Sequence, residues 1–402
     1  QGNINIAGEH IGRLVVGGIA AEVRGPFLLD SNNSGTITLK STLTATNVNS
    51  TCVGGINGLL GSGTTGGARR LTNSGNIIVE KGATFTAESR FGGISGYAES
   101  GDIYDFHTSG DITIAGTFNN RLCVGGGFGY TNTCTIASSA IGCHNTGKIT
   151  ITSDASSTQL CLGGVAGIIK AALRNSSNTG NIEIASSHNA MVRVGGIIGW
   201  VNAGGVNTVS NSGNITVKST AKFTTSPVQL AGGIGINEKT TTKLINTGTI
   251  TIENGAELIT DAMIAGGVAD ARDNSSTVIN TGDVVLMHDI PDGNTYYVGG
   301  AFGKMPGKSI KDIQCYATIT KGNCANFGFI SATPRDATHK IIGGGIGGKF
   351  IKEWDDSDVE PVAKGTKLNA SNYFRYVYTA EPEWENANYD GCTLLTKKPS
   401  LQ

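Results

Sequence analysis

Two short glycine-containing words alternate along the chain and return about every 36 residues. The first word has an asparagine, a small residue, a glycine, a variable residue and then an apolar, polar, apolar triplet, as in Asn178 to Ile184. The second word is a pair of glycines between apolar residues, as in Val194 to Ile197. Repeats of about 20 to 50 residues are typical of solenoids and blade arrays. The chain is therefore expected to fold as a stack of similar units.

The triplet of the first word predicts a β-strand with one buried face, because apolar residues alternate with polar ones and many are β-branched. No comparable stretch has a sustained helical period, so we expect very little helix. The asparagine tolerates a left-handed backbone and the glycine after it takes positive φ freely, which suits a tight turn. If coils stack about 4.8 Å apart, the asparagine amides form a ladder along the axis. The predicted ladder consists of Asn33, Asn73, Asn145, Asn178, Asn211, Asn246 and Asn280, with Thr108 in place of one member.

The paired glycines are expected to mark a bulge or corner, because the apolar residues that flank them are three apart and cannot both face inward on a regular strand. A phosphate-binding role would need a helix after the glycines, and the sequence predicts none there. The apolar residue in front of each pair is Val16, Val53, Phe91, Val124, Leu162, Val194, Ala231, Ala265, Val298 or Ile342.

The spacing of the two words allows one coil of about 36 residues or two coils of about 18 residues per repeat. One coil with about three strands is favoured, because stacked columns prefer like residues and the two words differ chemically. Connections between parallel strands are overwhelmingly right-handed. We therefore predict an all-β, right-handed parallel β-helix (β-solenoid) of about ten coils, which is about 48 Å long.

Residues 1–349 are expected to form the β-helix, and residues 350–402 a C-terminal cap. The cap segment is rich in aromatic residues, and a solenoid end needs covering because it exposes a strand edge and an open core. Trp354 and Trp384 in this segment are also candidates for stacking on sugar rings.

The composition excludes some functions. A formal net charge of −1 argues against nucleic-acid binding, and no apolar run is long enough to span a membrane. The chain begins in mid-repeat, since Ile4 and Ile6 match Ile37 and Leu39 of the next copy, so further sequence is expected before Gln1.

The cysteines fit the repeat better than a disulfide framework or a zinc site, for which the paired spacings are missing. Cys52, Cys123 and Cys161 align with Val15, Leu230, Ile264 and Ile341, although Arg90 and Arg193 share their column. Cys143 and Cys315 align with Leu71, Val209, Leu244 and Val278. We expect these five thiols to be buried as small apolar groups.

The alternating words resemble the GLUG-motif repeats of surface proteins from Bacteroidetes. Gln314 to Thr320 is similar to a variant of the family motif that corresponds to the asparagine and glycine word. The segment from Trp384 to Leu395 is similar to the C-terminal segments of surface lipoproteins from the same bacteria. The resemblance implies export, a location outside the cell or on the outer-membrane surface, and an adhesive or binding role without catalysis.

One charged cluster is the best candidate for a site. Glu238, Asp270, Arg272, Asp273 and Lys304 follow the paired glycines of three consecutive repeats, so stacking would bring them near one another. Clustered carboxylates with basic residues are what a β-helix enzyme would use, whereas a solvated charged edge is the simpler interpretation.

The sequence favours a non-catalytic cell-surface or secreted protein that acts as an adhesin or binds a glycan or a host protein, with no cofactor and no metal. One alternative is a β-helix polysaccharide lyase or glycoside hydrolase. Another is an accessory surface lipoprotein of an outer-membrane complex for nutrient uptake.

Overall fold

The computed structural model describes residues 2–25, 27–46, 49–61, 67–137, 143–224, 227–287 and 289–305, and only short stretches beyond residue 305. The described residues form strands and turns without a helix. The strands stack in parallel as a β-solenoid of about eight turns, which confirms the predicted fold class. Of the predicted cap, the structure describes the strands Glu360–Val362, Tyr376–Tyr378, Asn388–Tyr389 and Cys392–Thr393, and Trp354 and Trp384 lie outside the described residues.

Three sheets run along the solenoid. Sheet 1 has ten strands. Nine come from the first words, and the tenth comes from the segment Gln314 to Thr320: Ile4–Ile6, Ile37–Leu39, Ile77–Val79, Ile112–Ile114, Ile149–Ile151, Ile182–Ile184, Ile215–Val217, Ile250–Ile252, Val284–Leu286 and Ile319–Thr320. Sheet 2 has sixteen strands: Glu9–Ile11, Val15–Gly17, Thr44–Thr46, Thr51–Gly54, Thr84–Phe85, Ser89–Gly92, Thr117–Gly125, Ser156–Gly163, Ser187–His188, Val192–Gly195, Lys222–Phe223, Val228–Ala231, Glu257–Leu258, Ala262–Ala265, Tyr296–Gly299 and Asn326–Gly328.

Sheet 3 contributes two strands to most coils, one after the paired glycines and one before the next asparagine. Its nineteen strands are Ala20–Arg24, Phe27–Leu29, Asn32–Asn33, Asn57–Gly61, Gly67–Asn73, Ser95–Thr108, Phe128–Ala137, Cys143–Asn145, Ala166–Ile169, Ala172–Asn178, Ile198–Val201, Val206–Asn211, Ile234–Asn237, Leu244–Asn246, Val268–Ala271, Ser275–Asn280, Phe302–Lys304, Ile310–Cys315 and Ile341–Ile342.

Each repeat makes one coil. Ile149 pairs with Ile182, the equivalent residue of the next repeat, and Thr150 pairs with Glu183. The apolar residues of the triplet are buried and the polar residue between them is partly exposed. The prediction of one coil per repeat, rather than two, is therefore confirmed.

Two apolar cores fill the solenoid. The first joins sheets 1 and 2 and contains the stacked rings of Phe85 and Phe118, whose centroids are 4.7 Å apart. The second joins the two strands that sheet 3 contributes to each coil, for example Ile198 and Val209. The coils are thus held together by inward-facing columns of apolar side chains.

The seven predicted asparagines form a buried column at the end of sheet 3. Nδ2 of Asn178 donates to the carbonyl of Gly180 within its own turn and to Oδ1 of Asn211 in the next coil. Five such bonds between asparagines measure 2.8 to 2.9 Å: Asn33 to Asn73, Asn145 to Asn178, Asn178 to Asn211, Asn211 to Asn246, and Asn246 to Asn280.

The column has two exceptions. Thr108 stands in one coil and donates through Oγ1 to Oδ1 of Asn145, 2.7 Å away. Cys315 pairs with Asn280 and so follows it in the asparagine column. The sequence alignment of Cys315 with Val278 was wrong, because Ile313 pairs with Val278.

The paired glycines form the corner between sheets 2 and 3 and lie against the asparagine column. A methyl group on Gly196 would be 2.5 Å from Cγ of Asn211 and 2.1 Å from the carbonyl oxygen of Gly232, so only glycine fits there. The two repeated words therefore meet in space, although about 15 residues separate them in the chain.

Part of the sequence alignment at this corner was wrong by one residue. Ala231 pairs with Gly195, so Ala231 takes the place of the first glycine and Leu230 the place of Val194. Ala265 likewise stands in the first-glycine position, since it pairs with Ala231 and Gly299. In the following coil, Phe327 and Gly328 take these positions, because they pair with Val298 and Gly299, and Ile342 belongs to sheet 3.

Candidate functional site

The chain folds back sharply at each glycine corner, so that the first strand of sheet 3 lies against the outer face of sheet 2. A methyl group on Gly199 would be 2.7 Å from the backbone nitrogen of Leu162 and 2.9 Å from the carbonyl oxygen of Arg193. This close approach makes one outward-facing column of sheet 2 pack against one of sheet 3. We call the pair of columns the seam.

The seam is defined by the register of the two sheets. Its sheet 2 column is Val15, Cys52, Arg90, Cys123, Cys161, Arg193, Gln229, Met263 and Tyr297. Its sheet 3 column is Glu22, Leu59, Tyr97, Tyr130, Ile168, Trp200, Ile236, Asp270 and Lys304.

The position of the cysteines corrects part of the sequence analysis. Cys52, Cys123 and Cys161 are buried, as predicted, but they belong to the seam and not to the interior column of Leu230 and Ile264. Cys123 and Cys161 pack with Tyr130 and Ile168 in a small apolar cluster of their own. Arg90 and Arg193 in the same column had indicated that its side chains do not face the interior of the solenoid.

Cations stack on aromatic rings near one end of the seam. The Arg90 guanidinium lies 4.2 Å from the ring centroid of Tyr97 and 4.6 Å from that of Tyr130. Nε of Arg90 also donates to Oε1 of Glu88, 2.6 Å away, and Arg121 binds the other oxygen of Glu88. Cation–aromatic contacts are strengthened by desolvation, and the Arg90 side chain is only 15% exposed. The two rings are therefore held in fixed positions.

A second group of polar side chains begins at Arg193. Its guanidinium carbon lies 3.9 Å from the ring centroid of Trp200, and its Nε donates to Oε1 of Gln229, 3.2 Å away. Nε2 of Gln229 in turn donates to Oδ2 of Asp270 at 2.9 Å. Burial lowers the pKa of Arg193, and the arginine keeps its charge at neutral pH because its ordinary pKa is so high.

Arg272 and Glu238 close this group into a ring. Nε of Arg272 donates to the same Oδ2 of Asp270 at 2.9 Å, and its Nη1 donates to Oε1 of Glu238 at 3.2 Å. Oε2 of Glu238 accepts bonds from Nε1 of Trp200 at 3.1 Å and from Nδ2 of Asn202 at 3.2 Å. These contacts form a closed circuit across three coils. We call its members the polar ring: Arg193, Gln229, Asp270, Arg272, Glu238 and Trp200.

The polar ring contains three of the five charged residues predicted as a site. Lys304 pairs with Asp270 in the sheet, but its Nζ lies over the ring of Tyr297, 5.7 Å from the centroid. Asp273 instead accepts a bond from the backbone nitrogen of Asn274, 2.7 Å away. Glu238 and Asp270 both bind Arg272, so these two carboxylates serve as hydrogen-bond acceptors within a fixed network.

Three members of the ring were missed by sequence reasoning. Gln229 was hidden by the one-residue alignment error at Ala231, and Trp200 lies beyond the repeated words. Arg193 was noticed only as an irregularity of the cysteine column. An arginine at the same place as Arg90, in an otherwise apolar column, was the signal that could have indicated a polar contact there.

Within the part of the chain that the structure describes, no three His, Cys, Asp or Glu side chains are grouped so that they could hold a metal ion. The described residues also contain no helix that is long and apolar enough to cross a membrane. No protein-family model matches the chain, and neither does any curated protein or solved structure. The function is therefore inferred from the chemistry of the seam.

Proposed function

We propose that the protein is a non-catalytic binding protein, which holds a glycan chain along the seam. The observation that supports this most directly is the set of partly exposed rings along the seam, with Tyr97 and Trp200 in its sheet 3 column and Tyr297 in its sheet 2 column. Aromatic rings provide flat apolar faces, and Tyr and Trp keep a polar group that can bond to a hydroxyl. The seam runs along the axis of the solenoid from coil to coil, and such an elongated surface can contact an extended polymer along its length.

The polar ring suits binding better than catalysis. General acid–base chemistry needs a carboxyl group within reach of the reacting proton, whereas Asp270 has only 3% of its side chain exposed and accepts bonds from Gln229 and Arg272. Glu238 also holds the indole nitrogen of Trp200 in place. A network of this kind fixes the orientation of a ring before a ligand arrives, and such preorganisation favours affinity.

The proposal includes a location on the cell surface or outside the cell and a role in adhesion. This part rests on the resemblance of the two repeated words to those of bacterial surface proteins. The test is to fractionate cells of the organism that produces the protein and to treat intact cells with a protease. Cleavage of the protein on intact cells, or its presence in the medium, supports the location, and protection inside intact cells contradicts it.

The binding itself is tested on a panel of immobilised neutral and uronic-acid polysaccharides. The variants Tyr97→Ala and Trp200→Ala are expected to lose at least about fivefold in affinity for the glycan that the native protein binds, because a stacking contact on an aromatic side chain contributes about 1–3 kcal/mol. The matched control is Tyr104→Ala, which removes a tyrosine stacked on Arg69 outside the seam. Thermal unfolding of each variant shows whether it is folded.

Four results would contradict the proposal. Unchanged affinity of both seam variants would place the glycan elsewhere, and the absence of binding to every polysaccharide would exclude glycan binding by the seam. Shortening of a polysaccharide by the purified protein would show that the protein is an enzyme. Loss of affinity in the Tyr104→Ala control alone would likewise move the site away from the seam.

A further inference from the structure

A separate pocket of about 360 Å³ opens where sheet 2 bends, outside the seam. It spans four consecutive coils and shares no residue with the seam. Its lining consists of Thr117, Phe118, Asn119, Ser156, Ser157, Thr158, Ser187, His188, Asn189, Lys222 and Thr224. Its volume lies near the lower end of the range of about 300–1,000 Å³ that is typical of ligand pockets.

The pocket arises because one coil has a shorter bend than its neighbours. Phe118 pairs with Ser157 and Leu122 with Leu160, so the strand register shifts between them. Three residues lie between Phe118 and Leu122, and two lie between Ser157 and Leu160. His188 and Val192, which pair with Ser157 and Leu160, are again separated by three residues. Because this bend is one residue shorter, the surface is recessed between the two flanking coils.

The floor of the pocket is polar but fully hydrogen-bonded. Oγ of Ser157 donates to the carbonyl of Gln159 at 2.9 Å and lies 2.8 Å from Nδ1 of His188. Since a hydroxyl has one hydrogen, Nδ1 carries the proton and donates to Ser157, and Nε2 accepts from Oγ of Ser186 at 2.7 Å. The histidine is therefore no base for Ser157, and the pair does not form a hydrolytic dyad.

The walls carry hydroxyl and amide groups. Asn119 and Asn189 stand exposed on two of the coils. Thr158 lies on the coil between them and Thr224 on the coil that follows Asn189, and both threonines are partly exposed. Lys222 contributes the one charged side chain of the lining, and its Nζ is held by Glu257 on the adjacent coil at 2.6 Å. The ring of Phe118 is only 2% exposed because it is stacked on Phe85 in the first core, so the accessible lining apart from Lys222 consists of neutral donors and acceptors.

We propose that this pocket binds one neutral sugar residue. A pyranose carries several hydroxyl groups, which can donate to and accept from the amides and hydroxyls of the walls. A strongly anionic ligand is disfavoured because the only cation of the lining is already neutralised by Glu257. The pocket is a second site, independent of the glycan-binding role proposed for the seam.

The experiment is a titration of the whole protein with the methyl glycosides of glucose, galactose, mannose and N-acetylglucosamine, followed by calorimetry and ligand-observed NMR. One of these neutral glycosides is expected to bind. Asn119→Ala and Asn189→Ala, which change exposed side chains, are each expected to weaken binding about fivefold, because each lost hydrogen bond removes about 1 kcal/mol. Insertion of one alanine between Thr158 and Gln159 restores the longer bend and is expected to abolish binding.

The control is Tyr104→Ala, which lies outside both the seam and the pocket and is expected to leave binding of the methyl glycoside unchanged. Loss of binding in Trp200→Ala would assign the sugar to the seam and overturn the second site. The inference is also overturned if no neutral glycoside binds, if glucuronate binds in preference to them, or if both asparagine variants bind as the native protein does. The two asparagine variants decide the question even if the insertion does not fold.

Discussion

Asn178 and Asn211 lie 33 residues apart in the chain, and Nδ2 of Asn178 donates to Oδ1 of Asn211 at 2.9 Å. The same nitrogen donates to the carbonyl of Gly180 at 2.8 Å. One amide thus closes the turn of its own coil and joins it to the next coil. Both residues are buried, so these bonds are shielded from competition with water.

Asn178→Ala is expected to destabilise the protein by about 2–4 kcal/mol, because buried groups that lose their partners keep their full desolvation cost. The groups affected are the carbonyl of Gly180, Nδ2 of Asn145 and Oδ1 of Asn211. Chemical denaturation measures the change. The comparison variant is Thr108→Asn, which completes the column and is expected to change the free energy of unfolding by less than about 1 kcal/mol or to increase it. Equal stability of Asn178→Ala and the native protein would contradict the structural role of the ladder.

Gly196→Ala is expected to destabilise the protein by at least about 3 kcal/mol, since the added methyl group overlaps backbone atoms that cannot move independently. Its position would be 2.1 Å from the carbonyl oxygen of Gly232. Gly205→Ala is the matched control, because the nearest atom to its methyl group would be the carbonyl oxygen of Thr240 at 3.4 Å. Thermal unfolding of the two variants is compared. A similar melting temperature for both would show that the corner has more room than the structure indicates.

The stability of the protein is expected to fall between neutral pH and pH 4 because of His188. Burial lowers the pKa of His188 to about 4, from 6.5 for a free histidine. Below pH 6.5 the unfolded chain therefore binds a proton that the folded chain does not, which favours unfolding. The loss from this residue reaches about 3 kcal/mol near pH 4 and then stays constant, since both states are protonated at lower pH.

The contribution of His188 is isolated with His188→Leu, because Leu258 stands in the same interior column two coils further on. Denaturation at a series of pH values is expected to show a smaller loss of stability for this variant than for the native protein. The carboxyl groups titrate in both proteins and cancel in the difference. Parallel curves would contradict the burial of a neutral histidine.

The buried thiols are expected to react slowly in the folded protein. Burial raises the pKa of Cys134 to about 12 and the pKa values of Cys143 and Cys315 to about 11, and the thiolate is the reactive form. The measurement is labelling with a charged thiol reagent in a Cys392→Ser variant, which leaves only the seven buried cysteines. Ser187→Cys in that background supplies an exposed thiol as the positive control. Fast labelling of the variant without Ser187→Cys would contradict the burial.

Much of the fold could be predicted because its signals are local. The alternation in Ile182 to Ile184 indicates a strand, and the Asn178 and Gly180 pair indicates a turn. Equal spacing of these words then requires parallel stacking with one coil per repeat. The glycine corner was harder to predict: Ala231 and Ala265 replace the first glycine, so counting from the visible pair shifted the alignment by one residue.

Glu238, Asp270 and Arg272 could be predicted to lie close together, because the same position in successive coils is stacked. Their ring partners Arg193 and Gln229 could not, because these residues precede the corner and approach only when the chain folds back on sheet 2. The pocket beside Ser157 was not predicted either. One residue fewer in a bend has no chemical signature, and its effect depends on the bends of the coils above and below.

By itself, the sequence determined the strands, the turns and the one-coil stacking, since residue type limits backbone conformation locally and the repeat period carries that limit through the chain. The tertiary structure alone decided which outer columns face each other across the corner. That choice depends on the angle at which the glycines let the chain turn. It also depends on long-range packing, such as that of Arg193 on Trp200, which no spacing in the sequence encodes.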